Sequence, residues 1–568
     1  MDAKDLHEMA QSLFGKRASL MSLWQEQAEN FYPERADFTY HRSLGVDFAS
    51  NLMTSFPLLC RRDLGDQMGS MLRPTAKEWF HTGLIDPVRE TNEAKRWMQW
   101  ADSVMRRAMY DRKSMFTRAA KEGDHDWATF GQNVISVRLN SNRDALLYRC
   151  WHLRDCAWQE DENGVVAMMF RKWKPTARQL KTLFGDKVHT QVDQLLQQNR
   201  PNEEVECMHM VVDMDLYTGE VDTYDRGSDG NETKVRGPVK AAARKKFPYV
   251  SIYWDVTHSA LIEAMATHSK EYNVARWQTV SGSQYAFSPA TIAALPDARL
   301  IQAMTYTILE AGEKATNPPM IATEDAVRSD IGVFAGAVTW VDRDYDEKLG
   351  EALRPLTQDL RGMPIGRDML ADSRQMLSAA FYLNKLKPFV PSTDPTMTAF
   401  QAGQIVAQYI RDALPLFEPM EIEYNGGICD LTFDELRRGG AFGSPLDMPK
   451  ELAGSELLFR FESPLHDAIE QQKGQKFLEM KSMIAQAVEM DQSVLAMPDW
   501  QAALRDALNG SQIPAKWIRD EITVKQMQDA NEASQKAQQA IAAMQGGADV
   551  AQKLAAAQKD RAASMAPA

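Results

Sequence analysis

The feature that most constrains this chain is a central segment, residues 281–383, which predicts two long helices in succession. Ser288-Pro289 provides a helix start, because serine is a favoured N-cap and proline fits the first turn. Pro296 is expected to interrupt the first turns of this helix. The uninterrupted part, Asp297–Thr316, would span roughly 30 Å at about 1.5 Å per residue.

The second helix of this segment follows a short insert. Asn317-Pro318-Pro319 ends the first helix, and the insert over 319–345 has strand-like residues around two glycines. Recurring leucine and methionine then predict a helix over about 346–383, with an interruption at Pro364 and Gly366. Apolar residues on more than one face of these helices need covering. Neighbouring copies in a closed ring would supply that cover.

The chain before this segment predicts helices followed by a β-rich block. Apolar residues at helical spacing predict helices over 1–32, over 43–73 with a break at Pro57, and over 92–121. From about 134 to 256 apolar residues recur at every second position, which indicates strands. Within this block we expect hairpins at Glu162-Asn163-Gly164 and Thr218-Gly219, and one amphipathic helix over 175–198.

The chain after this segment predicts a loop, more helices and a polar tail. The prolines of KLKPFVPSTDPT, which follows Asn384, exclude a helix there, and a helix is expected over about 396–412. We expect a strand pair in YNGGICDLTFD and helices over about 465–490 and 498–509. Beyond Asp520 the sequence is rich in Ala, Gln and Lys, which indicates a solvated helix or a segment disordered until it binds a partner. The fold class is therefore predicted to be α+β and mainly helical.

Composition indicates a folded protein that does not span a membrane. The 568 residues, 44% of them hydrophobic and 25% charged, are ordinary for a globular chain of about three to four domains. No run of about 18 apolar residues occurs, and the N-terminus lacks the apolar stretch of a signal peptide. The five cysteines form no C-x-x-C pair, so a reduced setting is expected.

The net charge of −13 argues against a protein that grips DNA by neutralising many phosphates. The same charge is compatible with a conduit, because an acidic wall with sparse basic rings would let DNA slide. It is equally compatible with ordinary solubility of a cytoplasmic protein.

Motifs of catalysis are absent from the sequence. It contains no G-x-x-x-x-G-K-[ST] phosphate loop, no G-x-S-x-G elbow, no H-E-x-x-H and no G-x-G-x-x-G after a strand. These absences weigh against a packaging ATPase and against a hydrolase. We therefore expect no catalytic residue and no cofactor.

Three groups of residues could still be interpreted as sites. Asp124-His125-Asp126 is interpreted as a solvated turn, because three consecutive residues rarely face one ion. Cys150, His152 and Cys156 lack a fourth ligand and are interpreted as buried strand residues. Four acidic residues could bind a divalent cation, namely Asp213, Asp215, Asp222 and Asp225. A strand with one solvent-exposed face explains the spacing of these acids equally well.

Lys385 and Lys387 are a different kind of candidate, because their effect depends on repetition. In a single chain they are two surface lysines, whereas in a ring they would form a basic collar facing phosphate. Phe389 lies beside them in the same proline-rich loop.

The order of these segments resembles the head-to-tail connecting (portal) proteins of short-tailed, T7-like bacteriophages. The N-terminal markers are Trp24, Tyr32-Pro33, Leu72-Arg73-Pro74 and Trp79-Phe80. The central markers are the lead-in over 282–287, the helix over 297–316, Asn317-Pro318-Pro319, and the helix that ends in Phe381, Leu383 and Asn384. The resemblance reaches from residue 24 to about 412.

The resemblance implies a fold of wing, stem, clip and crown that assembles as a cyclic ring of about twelve subunits. Its segments would be a wing over 1–280, a first stem helix over 281–316, a clip over 317–345, a second stem helix over 346–383, a tunnel loop over 384–396, a return to the wing over 397–464, a helical crown over 465–530 and a tail over 531–568. In this arrangement Lys385, Lys387 and Phe389 would face the channel.

The implied function is a DNA channel at one capsid vertex of the virion, made in the bacterial host cytoplasm and used in genome packaging, tail attachment and ejection. The implied partners are further copies of the chain, double-stranded DNA bound without sequence specificity, the large terminase, major capsid and scaffolding proteins, tail adaptor and nozzle proteins, and internal core proteins, with no membrane. Two alternatives remain open. One is a nucleic-acid enzyme that uses the acids from Asp213 to Asp225, and the other is a non-viral oligomeric helical adaptor.

Overall fold

The structure is a computed structural model of the chain. It describes residues 1–43, 45–47, 49, 52–75, 78–85, 91–140, 142–226, 232–238, 247–316, 318–322, 353–355, 362–385, 418–443, 448–449, 452, 457–461, 477–485, 498–500 and isolated positions between 503 and 531. The chain divides into two compact units. The first comprises Met1–Trp79, Met105–Ala441 and Phe461–Leu465, and the second comprises Phe80–Val104, Phe442–Arg460 and His466–Ala568.

The N-terminus forms two helices, α1 (Ala3–Lys16) and α2 (Ala18–Phe31), so the prediction of one helix over 1–32 is wrong. The break is at Arg17, whose guanidinium is buried and donates to the backbone carbonyls of Leu153, Arg154 and Cys156. Three carbonyl acceptors for one side chain stabilise the bend at this residue.

Further helices follow, with one strand between them. These elements are α3 (Phe56–Leu72), β1 (Phe80–Leu84), α4 (Asn92–Met109) and α5 (Phe116–Phe130). Pro57 lies in the first turn of α3, so it begins this helix and does not break one. The predicted helix over 92–121 is two helices, because the chain turns at residues 110–115 and Met115 adopts a left-handed φ of 57°.

The β-rich prediction for about 134–256 is confirmed. Its elements are β2 (Gln132–Leu139), β3 (Leu146–Cys150), β4 (Cys156–Glu160), β5 (Val166–Trp173), α6 (Ala177–Phe184), α7 (Thr190–Gln197), β6 (Cys207–Asp213), β7 (Glu220–Arg226), β8 (Glu232–Pro238), β9 (Tyr249–Asp255), β10 (Ala260–Thr267), β11 (Tyr272–Arg276), β12 (Gln278–Val280) and β13 (Ser283–Phe287). The helix predicted over 175–198 is split at Gly185, which has a φ of 58°.

Two sheets organise the first unit. A seven-stranded sheet has the order β4-β5-β6-β9-β10-β7-β8, and a three-stranded sheet has the order β11-β2-β3. The β4–β5 hairpin at Glu162-Asn163-Gly164 is confirmed. The hairpin predicted at Thr218-Gly219 is wrong, since β9 and β10 lie between β6 and β7. A 3₁₀ turn over Met214–Leu216, capped by Asp213, carries the chain away from β6.

Each face of the large sheet has its own apolar core. On one face α1 packs with Leu6 and Ala10 against alternate residues of β5, β6, β9 and β10, including Phe170, Met210 and Ile252. On the other face Trp24 of α2 and Phe130 of α5 pack with Trp158, Val211 and Tyr285. The alternating side chains that predicted strands therefore point into two buried cores, one on each face of the sheet, and neither of these faces is solvent-exposed there.

The central segment contains α8 (Pro289–Thr316), β14 (Met320–Ala322), β15 (Leu353–Pro355) and α9 (Gly362–Ala380). The predicted start at Ser288-Pro289 is confirmed, but α8 continues through Pro296 without a break. The helix expected from about 346 is wrong over 353–355, where β15 pairs with β14. An extended backbone suits Arg354 because it precedes a proline.

The end of the first unit is helical where a strand pair was expected. YNGGICDLTFD falls in a π-helical turn, Met420–Gly426, and in α10 (Gly427–Arg438). Ile428, Leu431 and Phe433 are buried on this helix. The helix expected over 396–412 lies outside the described residues. In the second unit, β16 (Leu457–Phe461) pairs with β1.

Candidate functional site

The base of α8 is fixed to α5 by side-chain hydrogen bonds. The Ser288 hydroxyl donates to the carbonyl of Ala128 at 2.7 Å, and the Thr291 hydroxyl donates to the carbonyl of Thr129 at 2.7 Å. Gly131 follows α5 with a φ of 74°, and a Cβ there would lie 2.1 Å from the carbonyl carbon of Phe287. The entry to α8 is therefore held by a close backbone crossing that only glycine permits.

A second attachment lies further along α8. The Gln302 side-chain oxygen accepts from the backbone amides of Met53 and Thr54 at 2.7 and 3.0 Å, and its nitrogen donates to the Thr54 carbonyl at 3.0 Å. Arg299 donates to Glu26 of α2 at 2.6 Å. These contacts attach α8 to the segment before α3 and to α2.

Beyond this attachment α8 and α9 leave the core. The buried residues of α8 all lie between Ala290 and Ile301, in its first half. The buried residues of α9 and the turn after it lie at the opposite end, at Ser373, Leu377 and Phe381. The distal halves of the two helices thus form an arm that packs on itself, with Ile308 against Gly366.

The two helices that form this arm expose large apolar side chains along their length. On α8 they include Leu300, Tyr306 and Leu309, and on α9 they are Ile365, Met369 and Met376. The residues of α9 recur at spacings of four and seven, which places them on one face of the helix. Each of these three is 52% exposed or more. Such a stripe is typical of a helix that packs against another protein surface.

The predicted channel residues are only partly described. Lys385 closes a turn after α9, its backbone amide donates to the Tyr382 carbonyl at 2.9 Å, and its side chain is exposed. Tyr382 has a φ of 57°, a left-handed conformation that stops the helix. Lys387 and Phe389 lie outside the described residues.

Asp124-His125-Asp126 was predicted to be a solvated turn, and this prediction is wrong. All three residues are buried within α5. Arg35 donates to Asp126 through two nitrogens, at 2.8 and 3.0 Å, and Arg61 contacts His125 at 2.9 Å. Arg73 forms a buried ion pair with Asp124. Each residue of the triplet therefore has its own arginine, and these contacts offset the loss of hydration on burial.

The electrostatics of this cluster follow from burial and from the arginines. Burial alone would lower the pKa of Arg73, but the Asp124 carboxylate more than offsets this and the pKa is raised. Burial, with repulsion from Arg61, lowers the pKa of His125 to about 4. His125 is therefore neutral at neutral pH. The cluster is an internal support that links α3, α5 and the π-helical turn.

A cavity of about 430 Å³ lies between α3 and α5 beside this support. Gly65 and Gly69 line one side, and Phe116 and Ala120 the other. Arg73 and Asp124 reach it only as a pair already bound to each other. Because each charge is already paired with the other, these two side chains are poorly suited to acid–base chemistry.

The acids from Asp213 to Asp225 do not form one cluster. Asp213 ends β6 and accepts from the Asp215 amide at 3.0 Å, whereas Asp222 lies on β7 at 3.5 Å from Lys187. Two strands, β9 and β10, separate β6 from β7. Over the part of the chain that the structure describes, no group of three or more His, Cys, Asp and Glu side chains could hold a metal ion.

The interpretation as buried strand residues is confirmed for Cys150 and Cys156, but it is wrong for His152, which is half-buried and caps the turn between the two strands. Cys150 ends β3 and Cys156 begins β4, and both thiols are buried. His152 lies between the strands, 2.7 Å from Asp37. Burial raises the pKa of Cys156 to about 12, so its thiol is not a nucleophile. As to membranes, the described helices include none with the length and apolarity to cross a bilayer.

Sequence reasoning missed the arginine partners of α5 and the Gln302 contact. Arg61 lies within α3 and Arg73 directly follows it, but nothing in the local sequence indicates that either side chain is buried. Only the fold brings them against α5.

Comparison with known proteins identifies relatives of this chain. Residues 3–518 match the family described as "Bacteriophage head to tail connecting protein". The "Probable portal protein" of Bordetella phage BPP-1 is 24% identical over 459 residues, which cover 80% of this chain and 77% of that protein. The "Portal protein" of Salmonella phage epsilon15 is 21% identical over 475 residues, which cover 82% of this chain and 79% of that protein.

Proposed function

The chain belongs to the bacteriophage head-to-tail connecting protein family, and we propose that it assembles into a cyclic ring of about twelve copies around a DNA channel. It is a phage portal protein and a virion component, with a structural and not an enzymatic role. Portal proteins form homo-oligomeric rings that associate with capsid, tail and DNA. The number of copies and the course of the channel are the proposal.

One observation carries the proposal, the exposed apolar face of the arm formed by α8 and α9. Transfer of a large apolar side chain from water to a protein contact contributes about 1.5–3 kcal/mol. Burial of Ile365, Met369 and Met376 would release this free energy at each contact, and a closed ring would cover the stripe in every copy. An arm fixed at its base and apolar at its surface is suited to side-by-side packing around an axis.

The segments of the chain take roles in this ring. The wing comprises 1–280, and α8 and α9 are the stem helices within 281–316 and 346–383. The other segments are a clip over 317–345, a tunnel loop over 384–396, a return to the wing over 397–464, a helical crown over 465–530 and a tail over 531–568.

The DNA path would be lined by the tunnel loop. Lys385 is exposed directly after α9, which suits a basic collar in which Lys387 and Phe389 take part. Contacts of this kind reach phosphates and carry no sequence information. In the virion the ring would occupy one capsid vertex after synthesis in the host cytoplasm. Its partners there would be the large terminase, capsid and scaffolding proteins, tail adaptor and nozzle proteins, and internal core proteins.

The stem contact is tested by charge insertion. Ile365→Glu with Met369→Glu should abolish or strongly reduce ring formation, because two carboxylates would be buried at each contact. Leu183→Glu, at a residue 57% exposed on α6, is the matched control and should assemble normally. The readout is the fraction of rings in negative-stain images and in size-exclusion chromatography with light scattering. Normal rings from the double variant, with unchanged circular dichroism, would contradict the stem contact.

A further inference from the structure

Several buried or half-buried arginines in the first unit meet a carboxylate. Arg35 meets Asp126, Arg73 meets Asp124, and Arg276 meets Glu423 at 2.8 Å. Arg171 of β5 is different. It is only 3% exposed, yet among the described residues the one hydrogen bond of its side chain runs from Nε to the Tyr272 hydroxyl at 2.8 Å.

Arg171 belongs to a group that we call the arginine patch, made of Arg138, Arg149 and Arg171 around Trp151. The guanidinium of Arg171 lies 3.8 Å from the centre of the Trp151 ring, and that of Arg149 lies 4.6 Å from it. Trp151 is held in place because its indole N–H donates to the Ser136 hydroxyl at 2.9 Å. The patch therefore has a fixed aromatic centre with cations around it.

Strand register places Arg138 and Arg149 on the same face. Ser136 of β2 pairs with Arg149 of β3, and Arg138 pairs with Leu147. Arg138 and Arg149 are thus diagonal neighbours, about 7–8 Å apart at their backbones. Arg149 is exposed and Arg138 is half-buried. Within the part of the chain that is described, neither side chain makes a hydrogen bond or an ion pair.

Among the described residues, the carboxylates whose charge acts on the patch, Glu122 and Glu271, form no ion pair with Arg138 or Arg149. Glu122 is bound to Arg118 at 3.1 Å, and burial raises the pKa of the Glu271 carboxyl although Arg138 acts in the opposite direction. Burial lowers the pKa of Arg149, and repulsion from Arg171, Arg138 and Arg118 lowers it further. This is a positive surface in a chain whose net charge is −13. Arginines held together against their mutual repulsion indicate a site for an anionic ligand.

We propose that the arginine patch binds the phosphate backbone of double-stranded DNA, as a second DNA contact in addition to the tunnel loop. The identification of the ligand as DNA rests on the proposed function, whereas the inference of an anion-binding site rests on the geometry of the arginines. Arg138 and Arg149 are spaced so that each can reach a different phosphate of one strand. Arg171 does not need to touch the ligand, because it packs on Trp151 and supplies fixed positive charge beneath it.

Arg138→Gln with Arg149→Gln tests the proposal in the full-length chain, since neither side chain supports a hydrogen-bonded partner in the described fold. Each phosphate contact contributes about 0.9 to the slope of log affinity against log salt. The double variant should therefore bind a short mixed-sequence duplex more weakly than the wild type, with a slope shallower by about 2. Its deficit in affinity should be largest at low salt and should shrink by about tenfold between 50 and 200 mM salt.

Arg178→Gln, at an exposed arginine on α6, is the matched control and should leave both affinity and slope unchanged. Inorganic phosphate in the millimolar range should compete with the duplex for the wild type more strongly than for the double variant. Lys385→Ala with Lys387→Ala should lower affinity independently, which separates this site from the tunnel loop. Ring formation is measured on the same samples, so that failure of assembly is distinguished from failure of DNA binding.

Two results would overturn the proposal. The first is an unchanged affinity and salt slope in the double variant. The second is loss of ring formation in Arg149→Glu while its DNA affinity stays at the wild-type value, which would assign the patch to an acidic surface of a neighbouring copy.

Discussion

The buried pair of Arg73 and Asp124 gives the sharpest prediction about the interior. Asp124→Asn removes the negative charge and leaves the Arg73 guanidinium, 6% exposed as a residue, without its counter-charge. Loss of one partner of a buried pair costs about 3–5 kcal/mol. Two contacts of Arg73 remain, the Asn425 side-chain oxygen at 2.6 Å and the Tyr424 ring at 4.7 Å. We therefore expect a loss near the lower end, about 3 kcal/mol of the free energy of unfolding.

The assay is urea unfolding of the unassembled chain followed by tryptophan fluorescence, because Trp127 is buried on the same helix as Asp124. Glu310→Gln is the matched control, since its i,i+4 pair with Lys314 on α8 is exposed and should contribute about 0–1 kcal/mol. Arg73→Met combined with Asp124→Leu should recover most of the loss, because no unpaired charge is then buried. A loss below about 1 kcal/mol in Asp124→Asn, equal to that of the control, would refute the reasoning.

Stability at acidic pH, packing at the end of α9 and the tunnel loop give the remaining predictions. Because the pKa of His125 is lowered to about 4, the unfolded chain binds its proton first as pH falls, so stability should drop between about pH 6.5 and 4, by about 2 kcal/mol at pH 5 from this residue. A thermal melt series should show a smaller drop for His125→Gln, and an equal drop would contradict the assignment. Phe381→Ala should cost about 3–5 kcal/mol, since this ring is fully buried and lies 5.4 Å from Phe31, whereas Met376→Ala, at an exposed residue, should cost almost nothing in the same urea assay. Equal losses in the two variants would show that the end of α9 is not packed in the core. Lys385→Ala with Lys387→Ala should leave rings intact but reduce DNA packaging or retention in a salt-dependent way, and normal packaging across a salt series would remove these side chains from the DNA path.

Features that depend on short-range rules could be predicted from the sequence. The start of α8 at Ser288-Pro289 follows from N-cap and proline chemistry, and the strands β4 to β6 follow from alternation. The family resemblance, which rests on the order of motifs, is confirmed by the match over 3–518. The absence of catalytic motifs agrees with the structural role of that family.

Several of the failures share one physical cause, which is contact between distant parts of the chain. Arg17 separates α1 from α2 because its acceptors lie 136–139 positions away. Asp124-His125-Asp126 is buried because arginines of α3 and of the segment after α2 meet it. YNGGICDLTFD becomes helical where Gly427 packs closely on Asn273 of β11. The local propensity of a segment for helix or strand does not predict such long-range contacts.

The central claim is that copies of this chain close into a ring with a continuous channel. Electron-microscopy class averages of the purified full-length protein, with the mass of each particle measured by native mass spectrometry, test it most directly. We expect end-on views of a ring with a central hole and a mass close to about twelve chains. Only monomers or open aggregates, under all salt concentrations and with scaffold or capsid protein present, would contradict it.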